Sequence, residues 1–270
     1  MKLRLTLLLL VLPLSLKSWA GTVDNEIIIL MDGSGSVYDS DYARWLGMIS
    51  LANQIVSDTE TGNAHAIGIA SGCSASYNAT TCADQGRLNM HWGLHDGAVD
   101  PLTGNPIPGS QGPGDVGTFV SGLGTADFPG GYSWHDEALG MALDSFAGSS
   151  NTVTNSRHLF FLTDGQGPTS GHEPLTVDPG TGAVDYQSAA LVALRDLGVQ
   201  ITAVIFEGPA TVEYDYLLGL VDSPDHLFSS SDFDDVSSIV TPAVGTPAPA
   251  SLLLMLLGVA VLAGLRTGRR

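Results

Sequence analysis

Ile27-Ile28-Ile29-Leu30-Met31 is an unbroken apolar run, with no polar residue at alternate positions. A strand with one wet face alternates; a strand apolar on both faces must be covered on both, as in parallel sheets flanked by helices. Similar β-rich stretches span Ala64 to Ala70, His158 to Thr163 and Val199 to Phe206. Between them lie segments of helical spacing. The first, Asp39 to Val56, puts Tyr42, Trp45, Leu46, Ile49, Ala52 and Val56 on one face; others run from Trp134 to Phe146 and Gln187 to Leu197. Val212 to Leu220 and Phe233 to Val240 read as closing helices around a short Leu227-Phe228 strand. Strand and helix taking turns predict an α/β fold: a doubly wound, mostly parallel sheet flanked by helices, with ligands bound where strand ends meet loops.

Two segments interrupt this rhythm. A Gly/Pro-rich insertion covers about 71–131, and a shorter one surrounds Asp178. Each holds a similar turn, Val99-Asp100-Pro101-Leu102-Thr103-Gly104 and Val177-Asp178-Pro179-Gly180-Thr181-Gly182, and both read as protruding hairpins. Cys73 and Cys82, nine positions apart in the insertion of an exported chain, are expected to form one small-loop disulfide. His91 and His95 around Trp92 read as a polar surface pair.

The ends read as export signals. Lys2 and Arg4 precede an apolar run ending before Ser18-Trp19-Ala20, a signal-peptide pattern that places the mature start at Gly21. The domain then extends to 243, followed by a Pro/Ala linker at 244–251, a short apolar helix at 252–265 and a basic tail at 266–270. Membrane attachment through that helix would keep the tail cytoplasmic. Pro247-Ala248-Pro249, the helix and the arginines resemble the PEP-CTERM sorting tail of Gram-negative bacteria, with Ala248 where that family usually has Glu. Between Gly21 and Ala250 only four arginines (Arg44, Arg87, Arg157, Arg195) oppose all 28 acidic residues, a net of −24. Such a field excludes nucleic acid as a partner and attracts divalent cations.

Chemistry concentrates where the apolar strands end. The first runs into Asp32-Gly33-Ser34-Gly35-Ser36, a carboxylate and two hydroxyls on a turn flexible enough to aim them at one point; the strand from His158 ends at Asp164-Gly165. Hard oxygens of this kind suit Mg²⁺ or Ca²⁺, with Mn²⁺ a third candidate. Between them, Gly131-Tyr132-Ser133 precedes an Ala138-Leu139 helix. His135 and Asp136 lie close by in sequence; surface polarity at a helix start, favoured by the helix dipole, accounts for Asp136 without a metal.

The strand followed by D-x-S-x-S, the hydroxyl six residues before the helix leucine, and the strand followed by T-D-G resemble, in order, the metal-ion-dependent adhesion site of the von Willebrand factor A family. That resemblance spans Glu26 to Phe206 and implies a Rossmann-like fold. It also implies one divalent cation held by Asp32, Ser34, Ser36, Ser133 and Asp164, with Tyr132 as the alternative to Ser133. The function it implies is non-enzymatic adhesion, a protein or polysaccharide partner offering a carboxylate to the metal at the bacterial envelope or outside it. The alternatives are a structural envelope or matrix protein without a working metal site, and a metal-dependent hydrolase. The chain lacks the His-Glu-x-x-His, P-loop and Gly-x-Ser-x-Gly motifs that the hydrolase reading would draw on.

Overall fold

A computed structural model describes residues 22–39, 41–71, 88–94, 98–99, 106–107, 113–168, 170, 172–178, 180–207, 212–231 and 240. Six strands form the central sheet: β1 (Thr22–Asp32), β2 (Ala64–Ala70), β3 (Leu88–Trp92), β6 (Thr152–Thr163), β9 (Val199–Ile205) and β10 (Leu227–Ser229). Their order is β10-β9-β6-β1-β2-β3, and every pairing is parallel except the β2–β3 edge. The order reverses direction at β1, so the carboxyl ends of β1 and β6 flank the crevice where α/β sheets bind ligands.

The five-residue apolar run behaves as its pattern requires. Ile28 and Leu30 face one core, with Leu159, Phe161 and helices α3 (His135–Gly148), α4 (Ala189–Asp196) and α5 (Tyr214–Leu220). Ile27, Ile29 and Met31 face the other, with Phe160, Leu162 and helices α1 (Ala43–Asp58) and α2 (Pro113–Gly122). All five are fully buried.

Three local expectations are revised. The buried face of α1 includes Arg44, Met48, Leu51 and Ile55, while Leu46 is 41% exposed. Within the insertion, α2 forms despite Gly114, Gly117 and Gly122, because Val116 and Val120 pack into the second core; tertiary burial overrides poor helix propensity. His91 is half-buried rather than a free surface residue: it stacks on Phe119 at 4.6 Å, and burial lowers its pKa.

The strands of both expected hairpins pair antiparallel, β4 (Ala98–Val99) with β5 (Pro106–Ile107) and β7 (Leu175–Val177) with β8 (Val184–Tyr186); the turn at 100–105 lies outside the described residues. In the second, Asp178 Oδ1 accepts from the backbone N–H of Gly180 and Thr181 at 2.7 and 2.9 Å, and Gly182 turns the chain at φ +68°. The two cysteines, His95, the signal, the linker and the apolar tail lie outside the described residues, as does the expected helix at 233–240 apart from Val240. Among the described residues no helix is long and apolar enough to cross a membrane.

Two strand histidines give the fold a pH dependence. Burial holds His65 at about 4 and, with help from His226, His158 at about 4. Both are lower than in the unfolded chain, near 6.5, so the unfolded state takes up more protons between these values. Stability should be full above about pH 6.5 and fall by up to about 3 kcal/mol per histidine as the pH approaches 4. Urea denaturation at pH 7.5 and 5 should show most of this loss, and His65→Gln should roughly halve it, the His158 share remaining.

Candidate metal centre

Asp32 is the last residue of β1 and has no solvent exposure. Its Oδ1 accepts the Ser34 N–H at 2.9 Å, folding the loop back on the strand end, and its Oδ2 accepts the Thr163 hydroxyl at 3.0 Å from β6. The loop then makes one 3-10 turn, Gly35–Val37. Ser34 Oγ and Ser36 Oγ meet at 2.9 Å, Ser34 buried and Ser36 half-buried.

Glycine is required here by closeness. A Cβ on Gly33 would lie 2.4 Å from Pro129 Cγ, and one on Gly35 would lie 3.1 Å from the Gly131 carbonyl oxygen, which accepts the Gly35 N–H at 2.7 Å. The Ser71 hydroxyl also donates to the Gly130 carbonyl. These contacts dock the segment carrying Ser133 against the D-x-S-x-S loop and the end of β2. Ser133 is 6% exposed and Tyr132 43%, so of the two candidates the serine faces inward.

Asp164 ends the third segment. Its Oδ1 accepts the Gln166 N–H at 3.1 Å, and its Oδ2 lies 3.3 Å from Arg44 Nη1. Burial raises its pKa, and the charge of Asp32 raises it further. The Gln166 N–H, the Ser36 hydroxyl and Arg44 work in the opposite direction. Asp32, Ser34, Ser36 and Asp164 are therefore one electrostatic and hydrogen-bonded cluster, with Ser133 on the segment docked beside it.

Sequence reasoning missed two participants. Arg44 counted only as one of few positive charges. It is 7% exposed and donates to the Ser36 carbonyl at 2.7 Å and the Tyr38 carbonyl at 3.2 Å as well as to Asp164. Its position in the first turn of the helix that follows the loop was the available signal. His135, given no role by its sequence, has no exposure: Nδ1 is 2.8 Å from the Tyr216 hydroxyl and Nε2 is 3.7 Å from Asp32 Oδ2. Burial holds the Tyr216 proton well above the ordinary range, with the Asp32 charge adding to the effect.

The donor set fits a hard dication. Two buried carboxylates repel one another, and hydroxyl oxygens lie beside them. Among the described residues no group of three or more His, Cys, Asp or Glu could hold a metal, so hydroxyl oxygens would have to complete the shell of any ion held here. Beside the cluster, where the Glu213 N–H donates to the Gly165 carbonyl, a cavity of about 610 Å³ is lined by Glu173, Glu213 and Asp215 and adds to the negative field.

A doubly wound sheet with this loop cluster at its carboxyl edge has the fold of von Willebrand factor A domains. Proximal thread matrix protein 1 from the mussel byssus shares it at TM-score 0.53 and 14% identity, over 82% of this chain and 47% of that one. A second structure of the mussel protein, with a zinc-occupied MIDAS motif, aligns at TM-score 0.52 and 17% identity over 82% and 44%. The vWF domain of the type V pili tip protein Mfa5 from Porphyromonas gingivalis aligns at TM-score 0.50 and 12% identity over 82% and 96%. The chain thus spans less than half the length of the mussel protein. No family model and no curated protein matches the sequence.

Removing Arg44 should expose the strain between the carboxylates. In chelated protein, Arg44→Met leaves Asp164 buried without its counter-ion and should cost about 3 kcal/mol in urea denaturation. Arg44→Met with Asp164→Asn should recover most of that loss.

Proposed function

We propose that the chain is an exported, cation-dependent binding domain, its partner held through one divalent ion at the carboxyl edge of the sheet. The observation that carries this reading is the close pair of Ser34 and Ser36 hydroxyls beside two buried, mutually repelling carboxylates. Asp32, Ser34, Ser36, Ser133 and Asp164 would hold the ion, Mg²⁺, Ca²⁺ or Mn²⁺ by the hardness of their oxygens. When bound, it supplies a Lewis-acidic position that a partner's carboxylate can occupy. Two carboxylates only balance a dication, and neutral hydroxyls leave it electrophilic.

The surroundings suit a binding surface. Tyr38 and Tyr132, beside Ser36 and Ser133, are 51% and 43% exposed. Aromatic side chains of this kind give contact area at low entropic cost. A protein or polysaccharide carrying a carboxylate is the partner class we favour. The net charge of −24 between Gly21 and Ala250 slows an acidic partner at long range, but salt screens it beyond about 8 Å.

A non-enzymatic role is favoured because the imidazole beside Asp32, that of His135, is fully buried and out of a ligand's reach. Export rests on the N-terminal Lys2/Arg4 and apolar pattern, and envelope attachment on the apolar and basic C-terminal pattern. A structural role in an extracellular matrix is the second reading, favoured by the shared fold with a byssal thread matrix protein.

Mg²⁺, Ca²⁺ or Mn²⁺ at about a hundredfold excess over Kd should stabilise the protein by about 2.7 kcal/mol. Asp32→Ala should abolish the accompanying rise in Tm. Equal melting with and without chelator for every ion contradicts the cation reading and leaves the matrix role.

A further inference from the structure

The fully buried imidazole of His135 stands against Asp32 with one nitrogen unaccounted for. Its Nδ1 is taken by Tyr216, while Nε2 has no hydrogen-bond partner and lies 3.7 Å from Asp32 Oδ2. We propose that His135 is a positioning residue of the cation centre, restraining the Asp32 carboxylate from beneath through Nε2 while Tyr216 fixes the ring. This rests on the cation-binding reading above.

The surroundings explain why a histidine is there. The ring packs edge-on against Phe161 at 4.8 Å and beside Tyr216, an environment that an apolar side chain would fill at lower cost. Buried polar atoms without partners are rare and call for a reason. A carboxylate facing Nε2 favours the tautomer with its proton on that nitrogen, leaving Nδ1 to accept from the Tyr216 hydroxyl.

Asp32 is thereby gripped from three segments. The Ser34 N–H holds Oδ1, the Thr163 hydroxyl holds Oδ2, and His135 stands behind Oδ2. His135 also lies two residues beyond Ser133, so one segment both supplies a candidate ligand and braces another. Groups that orient a metal's ligands commonly set affinity by about 10- to 100-fold.

Two amide substitutions separate bracing from packing. Glutamine places its amide nitrogen near Nε2 and keeps a donor towards Asp32, whereas asparagine reaches only the Nδ1 position and keeps a partner for Tyr216. With Mn²⁺ as probe, titrated into the full-length protein and read by electron paramagnetic resonance of the free ion, His135→Asn should bind about tenfold more weakly. His135→Gln should retain most of the wild-type affinity, although both variants melt lower than wild type when chelated. Equal Mn²⁺ affinities for the two variants would overturn the proposal and leave His135 a packing residue. A wild-type protein that binds no Mn²⁺, Mg²⁺ or Ca²⁺ would overturn the cation reading itself, and the role of His135 with it.

Discussion

Parallel pairing of β1 with β6, with Met31 opposite Leu162, is the constraint on which the centre depends. It places Asp32 level with Thr163 and just short of Asp164, so two carboxylates 132 positions apart in sequence share one strand-end crevice. Side chains alternate along a strand, so sliding the register by one residue would swap Phe160 and Leu162 with Leu159 and Phe161 between the two cores and aim Thr163 away from Asp32. The fitted packing of both cores opposes that slip. Core packing thus positions the site, and the loops only complete it.

The centre is assembled under electrostatic tension that the rest of the chain does little to relieve. Of the four arginines between Gly21 and Ala250, three are committed to internal pairs. Arg44 meets Asp164 and Asp39, Arg157 holds the buried Glu26 at 2.9 Å, and Arg195 reaches Asp222 and the carbonyls at the end of α5. Each is anchored by a carboxylate whose burial or position needs it. Among the described residues the acidic surface is therefore left largely without positive neighbours, a setting that draws small cations from solution.

Much of this was legible before any coordinates. An apolar run without alternation specifies a strand covered on both faces, and Asp32, Ser34 and Ser36 follow it so closely that the strand end and the loop are one message. Asp164 was found for the same reason. Arg44 and His135 were not, because a charged residue on a helix reads as solvated unless its partner is known, and their partners arrive from other segments of the fold. The α2 helix was hidden by its glycines: the valines that hold it in place have meaning only against the sheet. That Ser133 is buried and Tyr132 exposed was likewise beyond what the sequence could tell.

The claim that three distant segments enclose one ion is tested most directly by a crystal structure of the protein grown with Mn²⁺, read by anomalous scattering at the manganese edge. The account predicts one strong peak within coordination distance, about 2.0–2.3 Å, of oxygens from the Asp32-Ser36 loop, with Ser133 and Asp164 ligating directly or through water. A map with no peak there, or with Arg44 still closed on Asp164 and the manganese elsewhere, would contradict it.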